Sequence, residues 1–356
     1  MRLVGLVSIS FLLGCSSAGT QMPPGGDDDV SPDATPTNPD PDGSTAPRFL
    51  CNSAPPEGAP QRGTPEAPAA GCPVLAPGAN TVMTAKGPRD FLLVVPESVE
   101  PGEQLPVLFM WHWLGGSANS FLEKGDDQTA ANDQHFIAVL PVSKGATIFG
   151  TSFNTKWPFD ITQSGGRMDE EFEFFDNMLS CVEQQFAVNK QCVSSVGVSA
   201  GALFNSQLAQ ARSNILASFV SLSGGTSAQW IKSWDGAARK LPAVVLWGGD
   251  GAPEMDGNKD ILGCFGIGMD FSVASRSLEE GLADDGHFFV ECRHNCGHVE
   301  PPLTPPDGQS KYSGMWEFAL DHPFWLPTGQ SPYLTDGMPP GMPEWCGIGA
   351  GSSMPR

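Results

Sequence analysis

Short apolar runs alternate with longer amphipathic segments through the middle of the sequence. Several runs are hydrophobic at every position rather than at every second position. Strands that are covered on both faces of a mostly parallel sheet have this pattern. The predicted strands are residues 91–96, 107–112, 136–142, 193–198, 218–223, 243–247 and 287–292.

Amphipathic helices are predicted between these strands. In residues 168–186, apolar side chains recur every three or four positions and form one stripe along a helix. Residues 200–211 and 275–284 also have the character of helices. Strands that alternate with helices predict the α/β class, here a single doubly wound domain with a mostly parallel sheet.

The start of the sequence differs from this middle part. Residues 1–14 carry one positive charge and a short apolar run, which indicates an export signal. The run ends in Leu-Leu-Gly-Cys, which resembles a bacterial lipobox, so Cys15 is the predicted lipidation site, with an ordinary secretory signal as the alternative. We therefore expect an exported lipoprotein at the outer membrane, the cell surface or the periplasm.

Two flanking segments enclose the predicted domain. Residues 15–50 are rich in Pro, Gly and Asp and contain few apolar side chains. Such a segment cannot bury enough surface to fold, so it is expected to be an extended acidic tether. The predicted α/β domain spans residues 51–346, and residues 347–356 are expected to be a tail.

Composition excludes two classes of protein. The 356 residues include 19 Lys and Arg against 40 Asp and Glu, for a net charge of −21. Nucleic-acid binding requires clustered basic side chains, so no nucleic-acid partner is expected. No internal apolar stretch approaches the roughly 20 residues that span a bilayer, so the lipid anchor is the only expected contact with a membrane.

Eight cysteines remain when Cys15 is set aside. An even number of cysteines in an exported protein indicates disulfides, although eight cysteines allow many connectivities. The predicted pairs, chosen mainly for short separation in sequence, are Cys51–Cys72, Cys181–Cys192, Cys292–Cys296 and Cys264–Cys346.

The motif Gly-Val-Ser-Ala-Gly at residues 197–201 lies between a predicted strand and a predicted helix. Small flanking residues permit the sharp turn that exposes a nucleophilic serine at the top of a sheet. Ser199 is therefore the candidate nucleophile, and a plain structural turn is the alternative. A serine hydroxyl also requires an oriented base.

His298 follows the last predicted strand, which is where the base of a Ser…Asp/Glu…His order is expected. The acid should follow the strand at residues 243–247, where Asp250 and Asp256 both remain candidates. An acid in this position holds the imidazole tautomer and stabilises the imidazolium. Such a triad needs no metal and no cofactor.

Four segments between residues 90 and 302 together carry a resemblance: FLLVVPESVEPGEQLPVLFMWHWLGGSANSF, DEEFEFFDNMLSCVEQQFAVNKQCVSSVGVSAGALFNSQLA, NILASFVSLSGG and CGHVEPP. The sequence resembles the exported polyhydroxyalkanoate depolymerase and feruloyl or acetylxylan esterase group of α/β-hydrolases. The resemblance implies a serine esterase acting on a polyester, feruloyl, acetyl or similar ester. It also implies oxyanion amides at Leu114 and Ala200, and substrate contacts at Trp113 and Trp157.

Three other functions are compatible with the sequence, and one of them is a peptidase, because the triad chemistry is shared. Cys292, His294, Cys296 and His298 recur at every second position and could in principle ligate zinc, although export favours oxidised cysteines. A catalytically inactive surface protein that uses the same fold to bind polysaccharide or a protein partner is the third alternative.

Overall fold

The apolar runs of the sequence form the central sheet in a computed structural model of the protein. The structure describes residues 16–17, 49–148, 151–153, 157–161, 165–228, 230–252, 257–264 and 267–354. The strands are β1 (Ser16–Ser17), β2 (Gly78–Thr84), β3 (Gly87–Val94), β4 (Leu105–Trp111), β5 (Ile137–Pro141), β6 (Ala146–Ile148), β7 (Thr151–Phe153), β8 (Val188–Val198), β9 (Ser218–Leu222), β10 (Ala243–Trp247), β11 (Ile261–Cys264), β12 (Ile267–Asp270), β13 (Phe289–Arg293) and β14 (Cys346–Ile348). The helices are α1 (Ala118–Gly125), α2 (Asp127–Gln134), α3 (Gly165–Gln185), α4 (Ala200–Ala211), α5 (Phe271–Asp285), α6 (Ser313–Leu320) and α7 (Tyr333–Asp336), with a 3₁₀ turn at Leu50–Asn52.

The main sheet has nine strands in the order β14-β13-β10-β9-β8-β4-β5-β3-β2. Its central strands, from β13 to β5, pair in parallel, whereas β14, β3 and β2 pair antiparallel at the two edges. Each predicted strand is present with ends shifted by a few residues, and the predicted mostly parallel α/β fold is confirmed. The carboxyl ends of the parallel strands all reach one rim, where ligands bind in such sheets.

Strand β2 was not predicted because it lies at the edge of the sheet. Its sequence GANTVMT is largely exposed, and only two of its side chains, Val82 and Thr84, are buried. Polar residues on an edge strand remove the apolar run on which the prediction depended.

Helices cover both faces of the sheet. The helices α3, α4 and α5 pack apolar side chains on one face, with Phe175, Phe204 and Leu278 fully buried. The helices α1, α2 and α6 cover the other face, where Phe121 and Trp316 are buried. This double covering explains the continuously hydrophobic strands, because β4, β9 and β10 are buried at every position.

The disulfides differ from the predicted pairs. The structure pairs Cys51 with Cys192, Cys72 with Cys181 and Cys292 with Cys346. The four predicted pairs are therefore wrong, because each of them includes a cysteine that is bonded elsewhere. The bridges join elements that the fold brings together: two of them attach the segment before β2 to β8 and α3, and the third links the neighbouring strands β13 and β14.

The folded part extends beyond the predicted domain limits. Phe49 is buried, and the Met354 N–H donates to the Trp345 carbonyl at 2.9 Å, so residues before 51 and after 346 pack on the domain. The predicted signal, Cys15 and most of the predicted tether lie outside the described residues; Ser16–Ser17 pairs antiparallel with β11. Within the described part of the chain, no helix combines the length and apolarity needed to cross a membrane.

Candidate active site

Ser199 occupies a strained turn between β8 and α4. Its backbone has φ 53° and ψ −118°, a conformation that residues other than glycine rarely adopt. The turn is held from both sides, because the Ser199 N–H donates to the Leu222 carbonyl at 2.8 Å and the Leu203 N–H donates back to the Ser199 carbonyl at 2.9 Å. Strain of this kind is typical of nucleophile turns at the carboxyl end of a strand.

The two glycines of the motif are required by close packing. A Cβ atom at Gly197 would lie 2.5 Å from the Gly201 carbonyl oxygen, and one at Gly201 would lie 2.0 Å from the Trp111 carbonyl oxygen. Neither distance is possible for a side chain, so α4 can approach β8 and β4 this closely only with glycine at both positions. The motif therefore fixes the position of Ser199 above the sheet.

Ser199 lies within hydrogen-bond distance of His298. The Ser199 Oγ is 3.0 Å from His298 Nε2, and His298 Nδ1–H donates to Asp260 Oδ1 at 2.5 Å. Asp260 is fully buried, and its Oδ2 accepts a second hydrogen bond from the Gly248 N–H at 2.8 Å. Phe271 stacks on the imidazole with the ring centres 4.1 Å apart. Hydroxyl, imidazole and carboxylate thus form one connected series.

The carboxylate beside His298 belongs to Asp260, where Asp250 or Asp256 was expected. Residues 250–252 leave the end of β10, and residues 257–259 return to it: the Gly251 N–H donates to the Asn258 carbonyl at 2.8 Å, and the Asp260 N–H donates to the Gly249 carbonyl at 2.9 Å. This excursion brings Asp260 back beside Gly248, directly at the strand end. Sequence position alone gave no sign of where the chain returns.

Asp250 has a different set of partners. Its Oδ2 accepts from Arg276 at 3.1 Å and lies 3.6 Å from Arg293, and both guanidinium groups lie 5.7 Å from the centre of the Trp247 ring. Asp250 therefore fastens the start of the excursion to α5 and β13 and makes no hydrogen bond to His298. Asp256 lies outside the described residues.

Close contact between two loops keeps Asp260 beside His298. The Gly297 N–H donates to the Gly248 carbonyl at 2.9 Å, and a Cβ atom at Gly248 would lie 2.0 Å from the Gly297 carbonyl oxygen. The loop that carries His298 and the end of β10 that receives Asp260 can meet this closely only with glycine at position 248, and Gly297 has a φ of 77°, which favours glycine.

The neighbouring histidine supports this loop. His294 is fully buried, its Nδ1 accepts from the Cys296 N–H at 3.1 Å, and burial lowers its pKa to about 4. Cys292, which belongs to the zinc alternative, is bonded to Cys346 and has no thiolate to offer a metal. Cys296 lies outside the three bridges of the described residues, with its Sγ 3.7 Å from Asn295 Oδ1.

The loop after β4 lies next to Ser199. Leu114 and Trp113 both line the cavity at Ser199, and Ala200 is the first residue of α4, so its N–H is at the helix amino end. Trp157 does not line this cavity: it is fully buried, and its Nε1 donates to the His112 carbonyl at 2.8 Å. Trp157 thus supports the loop from beneath, and the expected substrate contact is corrected.

Ser199 opens into a cavity of about 340 Å³. Its walls are mainly apolar and aromatic, with Phe121, Leu222 and Trp316 among them. Lys124 and Glu300 also line it, and they form an ion pair of 3.4 Å between α1 and the loop after β13. The cavity can therefore enclose an apolar group of a ligand beside the serine.

A buried carboxyl lies directly behind this cavity. Asp127 is fully buried, and neither of its carboxyl oxygens has a hydrogen-bond partner among the described residues. It adjoins Gly125 of the cavity wall, where a Cβ atom would lie 2.2 Å from Asp127 Oδ1. Burial, with a smaller contribution from the charge of Asp126, raises the pKa of Asp127 well above its ordinary value.

Replacing Asp127 with asparagine should stabilise the protein at neutral pH. Because the folded-state pKa is raised, the contribution of Asp127 to stability is complete below an unfolded pKa of about 4 and is lost as the pH rises from there towards the folded pKa. An asparagine in its place would resemble the protonated carboxyl at every pH. We expect D127N to have a free energy of unfolding higher by about 1–3 kcal/mol at pH 7, with little difference near pH 4. Denaturant unfolding at both pH values measures the difference, and a variant that is less stable at pH 7 would contradict the expectation.

Comparison with known proteins gives relatives for part of the sequence. No protein-family model matches the chain. It is 27% identical over 165 residues to feruloyl esterase D of Neurospora crassa, which covers 44% of this chain and 54% of that protein. It is also 27% identical over 149 residues to a probable feruloyl esterase C of Aspergillus terreus, covering 41% of this chain and 50% of that protein. The chain thus spans about half the length of the curated relatives it matches.

Solved structures share the fold over a greater length. The crystal structures named native pOPH and native sOPH each align with a TM-score of 0.58, at 19% and 16% identity. The alignments cover 78% and 80% of this chain and 96% and 97% of those chains. With the parallel sheet, its helical layers and the serine turn after β8, these comparisons show that the chain has an α/β-hydrolase fold and is similar, over about half of their length, to two feruloyl esterases.

Proposed function

We propose that the protein is a serine carboxylic-ester hydrolase that acts through Ser199, His298 and Asp260. The observation that carries the proposal is the hydrogen-bonded series at the rim of the sheet, with 3.0 Å between Ser199 Oγ and His298 Nε2 and 2.5 Å between His298 Nδ1 and Asp260 Oδ1. A hydroxyl, an imidazole and a buried carboxylate in this order are the groups that activate a serine for acyl transfer.

In the first half of the reaction, Ser199 Oγ attacks the ester carbonyl carbon while His298 Nε2 takes the hydroxyl proton. The carbonyl oxygen becomes negative, and the N–H groups of Ala200 and Leu114 are the donors we assign to it. Collapse of the tetrahedral intermediate breaks the bond between carbon and the alcohol oxygen. His298 gives its proton to that oxygen, so the alcohol leaves and an acyl-serine ester remains.

In the second half, water replaces the alcohol. His298 takes a proton from the water, the resulting hydroxide attacks the acyl carbon, and Ser199 leaves with the proton returned by His298. Asp260 keeps Nδ1 protonated throughout, so that Nε2 is the nitrogen free to accept a proton. The sum of the two halves is ester plus water to acid plus alcohol.

The cavity supports an ester with an apolar or aromatic part. Trp113, Phe121 and Trp316 line it beside Ser199, and its volume of about 340 Å³ is in the range of small-molecule sites. The two curated relatives named above are feruloyl esterases, and the proposal for this chain covers a feruloyl, acetyl, polyester or similar ester.

Export as a lipoprotein is part of the proposal. It is supported by the signal-like residues 1–14 with Cys15 after them, and by three disulfides in the described residues, since disulfides persist in oxidising compartments.

Covalent labelling tests the proposed function directly. A fluorophosphonate probe should label the protein at Ser199, with the adduct located by peptide mass mapping, because the probe reacts with serines that an adjacent base activates. Labelling should compete with turnover of an aryl or alkyl ester in the same sample. Absence of labelling together with no turnover across acetyl, butyryl, feruloyl and hydroxybutyrate esters would favour the inactive surface protein.

A further inference from the structure

A second serine lies beside Ser199 at the end of the neighbouring strand. The strands β8 and β9 pair in parallel with Val198 opposite Leu222, so Ser199 and Ser223 are the residues that follow on each strand. Adjacent strands are about 4.8 Å apart, and the hydrogen bond from the Ser199 N–H to the Leu222 carbonyl fixes the two turns against each other at 2.8 Å. Ser223 is thus a direct neighbour of the proposed nucleophile.

The backbone of Ser223 is strained in the same way as that of Ser199. Its φ is 50°, in the left-handed region where a side chain costs roughly 1 kcal/mol or more and glycine costs little. The next two residues are glycines, and Gly225 also has a positive φ, of 123°. Strain that is kept beside a reaction centre points to a use for the side chain.

The Ser223 side chain is directed to the cavity and lacks a protein partner. Ser223 lines the cavity with 8% of its surface exposed, and among the described residues its Oγ has no hydrogen bond. The walls nearest to it along the sheet, Val198, Leu222 and Leu246, are apolar. The hydroxyl is therefore available to a ligand that is bound beside Ser199.

The order of the strands determines which part of an ester would meet Ser223. Strand β4, which leads to Leu114, lies on one side of β8, while β9, β10 and β13 lie on the other. Ser223 follows β9 and His298 follows β13, so both are on the same side of Ser199. His298 must reach the alcohol oxygen to protonate it, so the alcohol part of the ester leaves on this side.

We propose that Ser223 is a substrate-binding residue that hydrogen-bonds the alcohol part of the ester and so favours alcohols with a second hydroxyl next to the ester oxygen. This inference rests on the proposed ester hydrolysis and adds a preference for the leaving group. The Ser223 hydroxyl can donate to or accept from such a neighbouring hydroxyl, whereas a simple alkyl alcohol leaves it without a partner.

The test compares two esters with the same acyl group, ethyl butyrate and 2-hydroxyethyl butyrate. We expect the kcat/KM of the wild-type protein to be at least about fivefold higher for the hydroxyethyl ester than for the ethyl ester, because the hydroxyethyl group gains one hydrogen bond. In S223A and in S223G, this ratio should fall to about one. The two variants are complementary, because alanine keeps the strained backbone without the hydroxyl and glycine also relieves the strain.

Ser227 provides the matched control. It has φ 60° on the same segment but is exposed and does not line the cavity, so S227A should keep the wild-type ratio. A wild-type ratio near one, or an unchanged ratio in both Ser223 variants, would overturn the inference while ester hydrolysis itself stood. If the wild-type protein hydrolysed neither ester and took up no probe, the proposed function would fail and this inference with it.

Discussion

Replacing Ser199 with alanine should lower kcat roughly 10⁴- to 10⁶-fold for any ester that the protein hydrolyses. The variant keeps the imidazole and the carboxylate but removes the only atom that forms the acyl-enzyme bond. Its KM should change little, because the cavity walls are untouched. Initial rates with a p-nitrophenyl ester, measured at protein concentrations up to the micromolar range, give the residual activity.

Folding must be intact for this result to be informative. S199A should bind the product acid or a non-hydrolysable ketone analogue with an affinity close to that of the wild type, and its thermal unfolding midpoint should not fall, since alanine differs from serine by one oxygen. Undiminished turnover in S199A would show that another residue is the nucleophile and would remove the basis of the proposed mechanism.

Replacing Asp260 with asparagine should lower kcat by about 10³- to 10⁴-fold. The asparagine side chain is nearly the same size, but its amide can donate to His298 Nδ1 and so favours the tautomer that carries the proton on Nε2. That nitrogen, 3.0 Å from Ser199 Oγ, then cannot accept the hydroxyl proton. The carboxylate that stabilises the imidazolium is lost as well.

Asp250 is the matched control for this variant, because it is also an aspartate of the excursion after β10. D250N weakens contacts to Arg276 and Arg293 but leaves the 2.5 Å hydrogen bond of His298 to Asp260 in place. We expect D250N to keep kcat within about fivefold of the wild type and to lose no more than about 1 kcal/mol of stability. Comparable losses of kcat in both variants would show that the carboxylate assignment is incorrect.

Ser199 and His298 could be selected from sequence because each lies directly beside an element that the apolar pattern predicts. The glycines around Ser199 serve contacts to β4 and α4 at distances that exclude a Cβ atom, so the local motif carries structural information. His298 follows β13 within a few residues, and its loop has little freedom to place it elsewhere.

Asp260 could not be selected in this way. Its position depends on hydrogen bonds to Gly249 and Gly248, which hold the returning chain at the end of β10. The pattern of apolar and polar residues gives no information on such hydrogen bonds. Asp250 is closer than Asp260 to the end of β10 in sequence, but its carboxylate is paired with two arginines from other elements and not with the imidazole.

Partners that are distant in the chain account for the other differences. Cys51 pairs with Cys192 across 141 positions and Cys72 with Cys181 across 109, which a preference for short separations cannot anticipate. Trp157 has the aromatic character expected of a substrate contact, yet its indole N–H is used by the His112 carbonyl beneath the loop. In each case the deciding contact is tertiary.

The closed base of the excursion also has a practical consequence for engineering. Hydrogen bonds join residue 249 to residue 260 and residue 251 to residue 258, so the two ends of the excursion are held together. Gly248 also contacts Gly297 in the loop that carries His298. The position of His298 therefore depends little on the number of residues between 252 and 257. A reporter peptide or an affinity tag could therefore be grafted between residues 252 and 257 without displacing the carboxylate.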